Sequence, residues 1–350
     1  GFGDYFTKLA TVIAGGNAPD VFELNYENFN TYASKGVLFN LDKLIKQSGY
    51  DLSIINKNAL EAFQVAGTQY GLPYSFSNVI LIYNMNLFDK AGVSYPTNEW
   101  TWDDVLSAAQ KIRALDPMVF GIYQPITFNE LYKMVQQNNG SLLSDDGTAF
   151  TVNKQENVET LQYMVDRVLK YNVMPTDAQM AGMGDWDLFI SGRLGMIVTG
   201  SWAFPTFKEK ADFDWDIEVE PGNKKKATHF FSNGLVMSKD TKKAEAAFKW
   251  MTFLSSSKEV AEGRVKANWE LPAAMYPEII ELYKKDVPPY NKEAVFESLN
   301  YLVTPPPIVE YQKAADIIDK HLEAARYGKK TPQQALNDAQ AELEKAIKLK

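Results

Sequence analysis

Cysteine is absent from the 350 residues. That removes disulfides, thiolate nucleophiles and zinc–thiolate sites, while leaving the compartment open. Histidine is nearly absent: His229 and His321 are the two. They are too far apart for the local spacing of a histidine metal motif, and Ser–His catalysis would have to use one of them. Excess positive charge is missing as well. The net charge is -8, and no basic stripe offers itself to a phosphate backbone, so no nucleic-acid partner is expected. Lys224 to Lys226 follow Pro221-Gly222-Asn223 and read as a solvated loop. Arginine is scarce. No apolar run approaches the ~20 residues of a membrane span. The sequence has no GxGxxG opening a helix, no Walker loop, no HExxH and no GxSxG. Asp145-Asp146-Gly147 lacks the alternation and distal Glu of a calcium loop and reads as a plain turn. These gaps point away from catalysis and away from cofactors or metals. The chain also opens without methionine, at Gly1-Phe2-Gly3-Asp4.

Aromatic residues are what the chain has in number: 7 Trp, 18 Tyr and 20 Phe. A sugar presents C–H patches on its ring faces and hydroxyls around its rim. Flat aromatic faces cover the former, and Asp, Glu, Asn and Arg pair with the latter. Through the first half, helical and strand patterns alternate, and further strands follow. A helix over Tyr5–Ala14, a strand at Asp20–Leu24, a strand at Val79–Asn84 and a strand at Leu194–Thr199 are expected. Gln69–Tyr74 reads as a turn with strand ends. Thr101 with Asp104 is a variant capping box, and Ser201 is a candidate N-cap. From Lys242 onward the pattern is nearly all helix, interrupted by Thr304-Pro305-Pro306-Pro307, which reads as a rigid connector between bodies.

Alternating β and α units build open sheets covered by helices, and ligands bind at the carboxyl ends of their strands. This rule selects Asn25 and Tyr26, the stretch Pro73 to Asn78, and Gly200-Ser201-Trp202. Trp202, just past a strand, favours ligand stacking over core packing. For Trp269, contact and packing are evenly balanced. Core packing is the better reading for Trp186, and for Trp100, Trp102, Trp215 and Trp250. Asn233-Gly234 inside a strand pattern marks a bulge or a close approach, by ligand or otherwise.

Several of these segments resemble family 1 extracellular solute-binding proteins of bacterial ABC importers, the group that includes the maltose-binding protein. They are Phe6 to Val21, Gly71-Leu72-Pro73-Tyr74, Ile82 to Phe88, Trp100 to Asp104, Phe189 to Met196, Gly200-Ser201-Trp202 and Gly328 to Leu336, in order along the chain. The resemblance implies an α/β, two-lobe periplasmic-binding-protein-like fold (type II) with a ligand cleft between lobes. It implies strands crossing near Val79 to Tyr83, Ser232 to Met237 and Leu302 to Pro306, with closure by rotation at those strands. Lobe one is expected at 1–78 plus 236–300, lobe two at 79–235 plus 301–350. A strand, a helix and a second strand normally precede the Gly3-Asp4 equivalent. The expectation is therefore that the natural protein carries them, behind an export signal.

Carried over by motif, the ligand positions implied are Trp202, Tyr26, Asn25, Asn78, Asn233, Trp269 and Asn139. The implied function is capture of a sugar or oligosaccharide and its delivery to importer membrane subunits, with no chemistry performed. The protein would be a monomer, periplasmic or anchored outside the cell membrane as a lipoprotein. A carbohydrate-active enzyme is one alternative. A binding protein for a non-sugar solute, a polyamine or a polyol phosphate, is another.

Overall fold

The computed structural model describes residues 2–267, 270–308 and 310–349. The chain packs as two units. The first is Gly1–Ser77 with Phe231–Asp286, and the second is Asn78–Phe230 with Val287–Lys350. In chain order the strands are β1 (Val21–Asn25), β2 (Gln64–Val65), β3 (Thr68–Gln69), β4 (Gly71–Asn84), β5 (Phe120–Tyr123), β6 (Leu194–Gly200), β7 (Trp215–Glu218), β8 (Thr228–Met237), β9 (Leu271–Pro272) and β10 (Leu302–Val303).

In the first unit, β1 runs antiparallel to β8, from Val21 opposite Met237 to Asn25 opposite Asn233. Phe22 and Leu24 are buried while Val21, Glu23 and Asn25 are half-buried, the period-2 pattern of a strand with one covered face. The helix Phe2–Ala14 brings Leu9 into a cluster with Phe22, Leu24, Phe29, Phe63 and Val236. Its Tyr5 hydroxyl donates to the Glu23 carbonyl at 2.9 Å and accepts from the Glu23 N–H at 3.1 Å, tying helix to strand. A second cluster joins Leu41, Leu72, Met237, Phe248 and Met251. Trp250, expected in the core, is 53% exposed and stacks on Phe253 with ring centroids 6.0 Å apart. Its neighbours Phe248 and Met251 take the inward side of that helix.

Gln69–Tyr74 was expected as a turn with strand ends; Gln69 ends β3, and Gly71 already begins the continuous strand β4. The Pro73 carbonyl accepts the Ser255 hydroxyl, and pairing with β9 begins only at Ser75.

In the second unit, the latter half of β4 is antiparallel to β6 and to β7, and β5 is parallel to β6. The capping box forms as expected: Asp104 Oδ2 accepts from the Thr101 N–H and hydroxyl, each at 2.8 Å. The helix it starts, Trp102–Arg113, places Trp102 in a large core with Phe128, Leu131, Leu161, Ile318 and Leu336.

Within this core lies a buried ionic network. Lys133 Nζ is 2.8 Å from both Glu130 and Glu220. Arg167 donates to Gln124 at 2.8 Å, and Gln124 donates to Glu130 at 2.7 Å and Glu220 at 3.1 Å. Two cations face two carboxylates, so the burial of charge is compensated.

The boundaries differ from those expected. Residues 287–300 belong to the second unit, because the Tyr290 and Asn291 N–H groups both donate to Asp216 on β7 at 2.8 Å. The chain therefore passes between units at Asp286–Val287, and Thr304 to Pro307 is not the connector. β10 instead pairs in parallel with Thr228 and His229 of β8. Residues 231–235 belong to the first unit.

Candidate functional site

Two polar features stand out, one in each unit. In the first unit, Asn25 and Asn233 are direct cross-strand partners, which places their half-buried side chains on one face about 5 Å apart. Asn233 Nδ2 donates to Glu270 Oε2 at 3.4 Å. The same oxygen accepts Ser75 Oγ at 2.9 Å and Arg264 Nη2 at 3.3 Å. The Arg264 guanidinium lies 4.9 Å over the Tyr74 ring. Asn25 Nδ2 donates to Glu27 at 2.7 Å, and Asn25 Oδ1 accepts from Asn28 at 2.8 Å. Burial pushes the Glu27 carboxyl up, and the Asn25 hydrogen bond only partly offsets it. Tyr26 follows at the start of the helix Tyr26–Ser34, half-buried against the Phe29 cluster. Carboxamides that donate and accept, beside a carboxylate that only accepts, suit a ligand rich in hydroxyls.

Gly234 has a structural explanation. A Cβ there would lie 2.6 Å from the Phe63 ring, so the close approach is by a core side chain. Trp269 lies outside the described residues. A cavity of about 450 Å³ in this unit, lined by Tyr5, Leu9, Val12, Val21, Phe22 and Trp250, is mostly apolar and does not suit a polyhydroxy ligand.

In the second unit, every residue of β6 is buried, and the strand ends in a single 3-10 turn, Ser201–Ala203. Trp202 sits in that turn, half-buried. Its benzo ring rests on Gly200: an ideal Cβ at 200 would lie 1.9 Å from Cζ3 and 2.2 Å from Cε3 and Cη2. Ser201 is not the N-cap. Gly200 occupies that position, the helix proper starts only at Phe204, and Ser201 Oγ is buried without a hydrogen-bond partner among the described residues.

Asn78, one residue before the Val79–Gly200 pair, is fully buried. Its Nδ2 donates to the Val295 carbonyl at 2.7 Å, while its Oδ1 has no partner among the described residues. Asn139 is exposed, with φ of 60°, in the turn that ends the helix Phe128–Gln137. Asn tolerates that left-handed conformation, which accounts for its place there. The Asp145–Gly147 turn is closed by Asp146 Oδ1, which accepts from Ser144 Oγ and from both the N–H and hydroxyl of Thr148.

Of the sequence candidates, the structure gathers Asn25, Tyr26 and Asn233 in the first unit. In the second, it puts Asn78 beside the strand end that carries Trp202 and sets Asn139 in a helix-end turn. Glu270 and Arg264 were missed, whereas Ser75 lies within the selected stretch Pro73 to Asn78. The only local signal was the Glu270-Leu271-Pro272 stretch, whose partner Ser75 is 195 residues away.

Residues 1–261 match the family model for bacterial extracellular solute-binding proteins. An ABC substrate-binding protein from Listeria monocytogenes, solved in complex with cycloalternan, is 48% identical, with a TM-score of 0.92 over 98% of this chain and 89% of that one. A solute-binding protein from Thermotoga lettingae, bound with α-D-tagatose, is 25% identical, with a TM-score of 0.83 over 99% of this chain and 89% of that one. The arabinooligosaccharide-binding protein of Bacillus subtilis is 25% identical, over 95% of this chain and 80% of its own length. With this fold and these matches, the chain belongs to the bacterial extracellular solute-binding protein family and has its two-lobe, type II periplasmic-binding-protein fold.

Proposed function

We propose that the chain binds a neutral oligosaccharide outside the cytoplasm and passes it, unaltered, to the membrane subunits of an ABC importer. The observation that carries this reading is Trp202, a half-buried indole at the carboxyl end of β6. An aromatic face held there covers the C–H face of a pyranose at little rotamer cost. The Asn25, Asn233 and Glu270 cluster supports the same class of ligand, with acceptors and donors for ring hydroxyls. Carboxylates at Glu27 and Glu270 disfavour a phosphorylated or uronic-acid ligand. The relatives complexed with cycloalternan and tagatose, or named for arabinooligosaccharides, agree with this reading, while a relative named for sn-glycerol-3-phosphate represents the competing ligand class.

The protein acts as a carrier and not as an enzyme: one oxygen of Glu270 already accepts three donors, an anchoring arrangement and not that of a general acid. It works as a monomer, periplasmic or held at the outer face of the membrane as a lipoprotein. The test is a thermal-shift panel of cycloalternan, linear gluco- and arabino-oligosaccharides, tagatose, putrescine and glycerol 3-phosphate, with chromatography of each mixture after incubation. An oligosaccharide is expected to raise Tm and to be recovered intact. A shift by putrescine or glycerol 3-phosphate alone, or the release of shorter sugars, would overturn the reading.

A further inference from the structure

Gly200 has no conformational reason to be glycine. Its φ of -88° and ψ of 165° are ordinary extended values open to any residue. It lies at the end of a fully buried strand, where a glycine forgoes packing. The reason is spatial. The three heavy atoms nearest to a Cβ at 200 all belong to the six-membered ring of Trp202, at 1.9 to 2.2 Å. The indole thus occupies the volume that a side chain on Gly200 would fill. A ring seated in that notch has its two side-chain torsions fixed before any ligand arrives, which removes an ordering cost from binding.

We infer that Gly200 is a positioning residue of the ligand site: its missing side chain is the seat that fixes the plane of Trp202. The inference rests on the reading of Trp202 as the sugar platform. A methyl group at 200 leaves the indole no room in its present rotamer and turns it out of plane. The strand pairing of Gly200 with Val79 remains, because a backbone in this conformation accepts alanine.

The test is a double-mutant cycle with Gly200→Ala and Trp202→Ala, read by calorimetry with whichever oligosaccharide the panel selects. Urea unfolding of all four proteins accompanies it. Trp202→Ala alone is expected to weaken binding roughly 30-fold. Gly200→Ala alone is expected to weaken it roughly tenfold, and to add no further loss in the Trp202→Ala background. Ligand-induced tryptophan fluorescence gives a second readout: the part of the signal that Trp202→Ala removes should also be lost or shifted in Gly200→Ala.

Equal losses from Gly200→Ala in both backgrounds would show that Gly200 acts elsewhere and would overturn the inference. So would unchanged affinity in Gly200→Ala while Trp202→Ala binds weakly. If Trp202→Ala binds normally, the platform reading itself fails, and the inference with it. Should Gly200→Ala not fold, the double variant decides. Folding restored by removing the indole supports the seat, and continued failure to fold contradicts it.

Discussion

At Glu270 the carboxylate ties together three donors from distant parts of the chain: Ser75, Asn233 and Arg264. The Glu270→Gln variant keeps the shape but removes the charge facing Arg264. The ion pair is partly buried, with side-chain exposures of 12% and 26%, so a stability loss of about 1 kcal/mol is expected. If the carboxylate also meets ligand hydroxyls, affinity falls roughly tenfold as well, since hydrogen bonds to a charged group are the stronger kind. Calorimetry and urea unfolding on one preparation separate the two effects, and unchanged affinity would leave Glu270 a purely structural residue. Ser201 makes the opposite case. Its hydroxyl is buried with no partner among the described residues, so Ser201→Ala removes a desolvated group that returns nothing. Stability should stay level or rise by up to about 1 kcal/mol in urea unfolding. A clear loss would reveal a partner for that hydroxyl. Residue-level reading of the sequence selected Trp202, Asn25 and Asn233 as candidates because each sits at a strand end or inside a strand pattern. It missed Glu270 because side chains far apart in sequence meet only once the sheet has formed.

Among the elements, β8 carries a group displaced far from its ordinary titration. His229 is 1% exposed. Its Nε2 is 2.8 Å from the Asn129 carbonyl oxygen, and its ring lies 5.0 Å from that of Tyr132. Burial, then the charge of Lys133, push its pKa down to about 3. Between its ordinary value and 3 the unfolded chain binds a proton that the folded chain refuses, so stability falls as pH drops through that window, by up to about 1.4 kcal/mol per pH unit. Burial works to raise Glu130, but the charge of Lys133 and hydrogen bonds from Lys133 and Gln124 outweigh it and hold it low, which acts in the same direction. Burial holds Glu220 high despite Lys133, so it takes up its proton more readily in the folded state and opposes part of the slope. Urea midpoints from pH 7 to pH 4 should therefore fall, and His229→Gln should flatten the decline. A flat profile in the unsubstituted protein would contradict this account.

Elements whose signal is local were legible: the Thr101–Asp104 capping box and the strand through Val79 to Asn84. Elements decided by tertiary partners were not. β4 continues past Pro73 because Ser255 and β9 receive it. Residues 287–300 join the second unit because Asp216 binds the Tyr290 and Asn291 N–H groups. Ser201 looked like a helix cap from its position after a strand, but a 3-10 turn intervenes.

For the whole molecule, an ordered series of short motifs carried the family across the chain even where single residues misled. Trp250 was expected in the core and is exposed, yet neither the fold nor the family depends on it. A binding protein that recognises only its folded state gains stability by mass action, so saturation at 100 times Kd should add about 2.7 kcal/mol to unfolding. A matching rise of Tm with ligand concentration is expected from calorimetric scans, and a Tm independent of ligand would speak against binding to the native state. The most direct test of the central claim is calorimetric titration of the protein and of Trp202→Ala with the oligosaccharide that gives the largest thermal shift. The account predicts saturable binding by the unsubstituted protein, and a loss of roughly 30-fold in the variant while its urea midpoint changes little. Equal affinity in the two proteins, or a variant so destabilised that unfolding alone explains the loss, would contradict it.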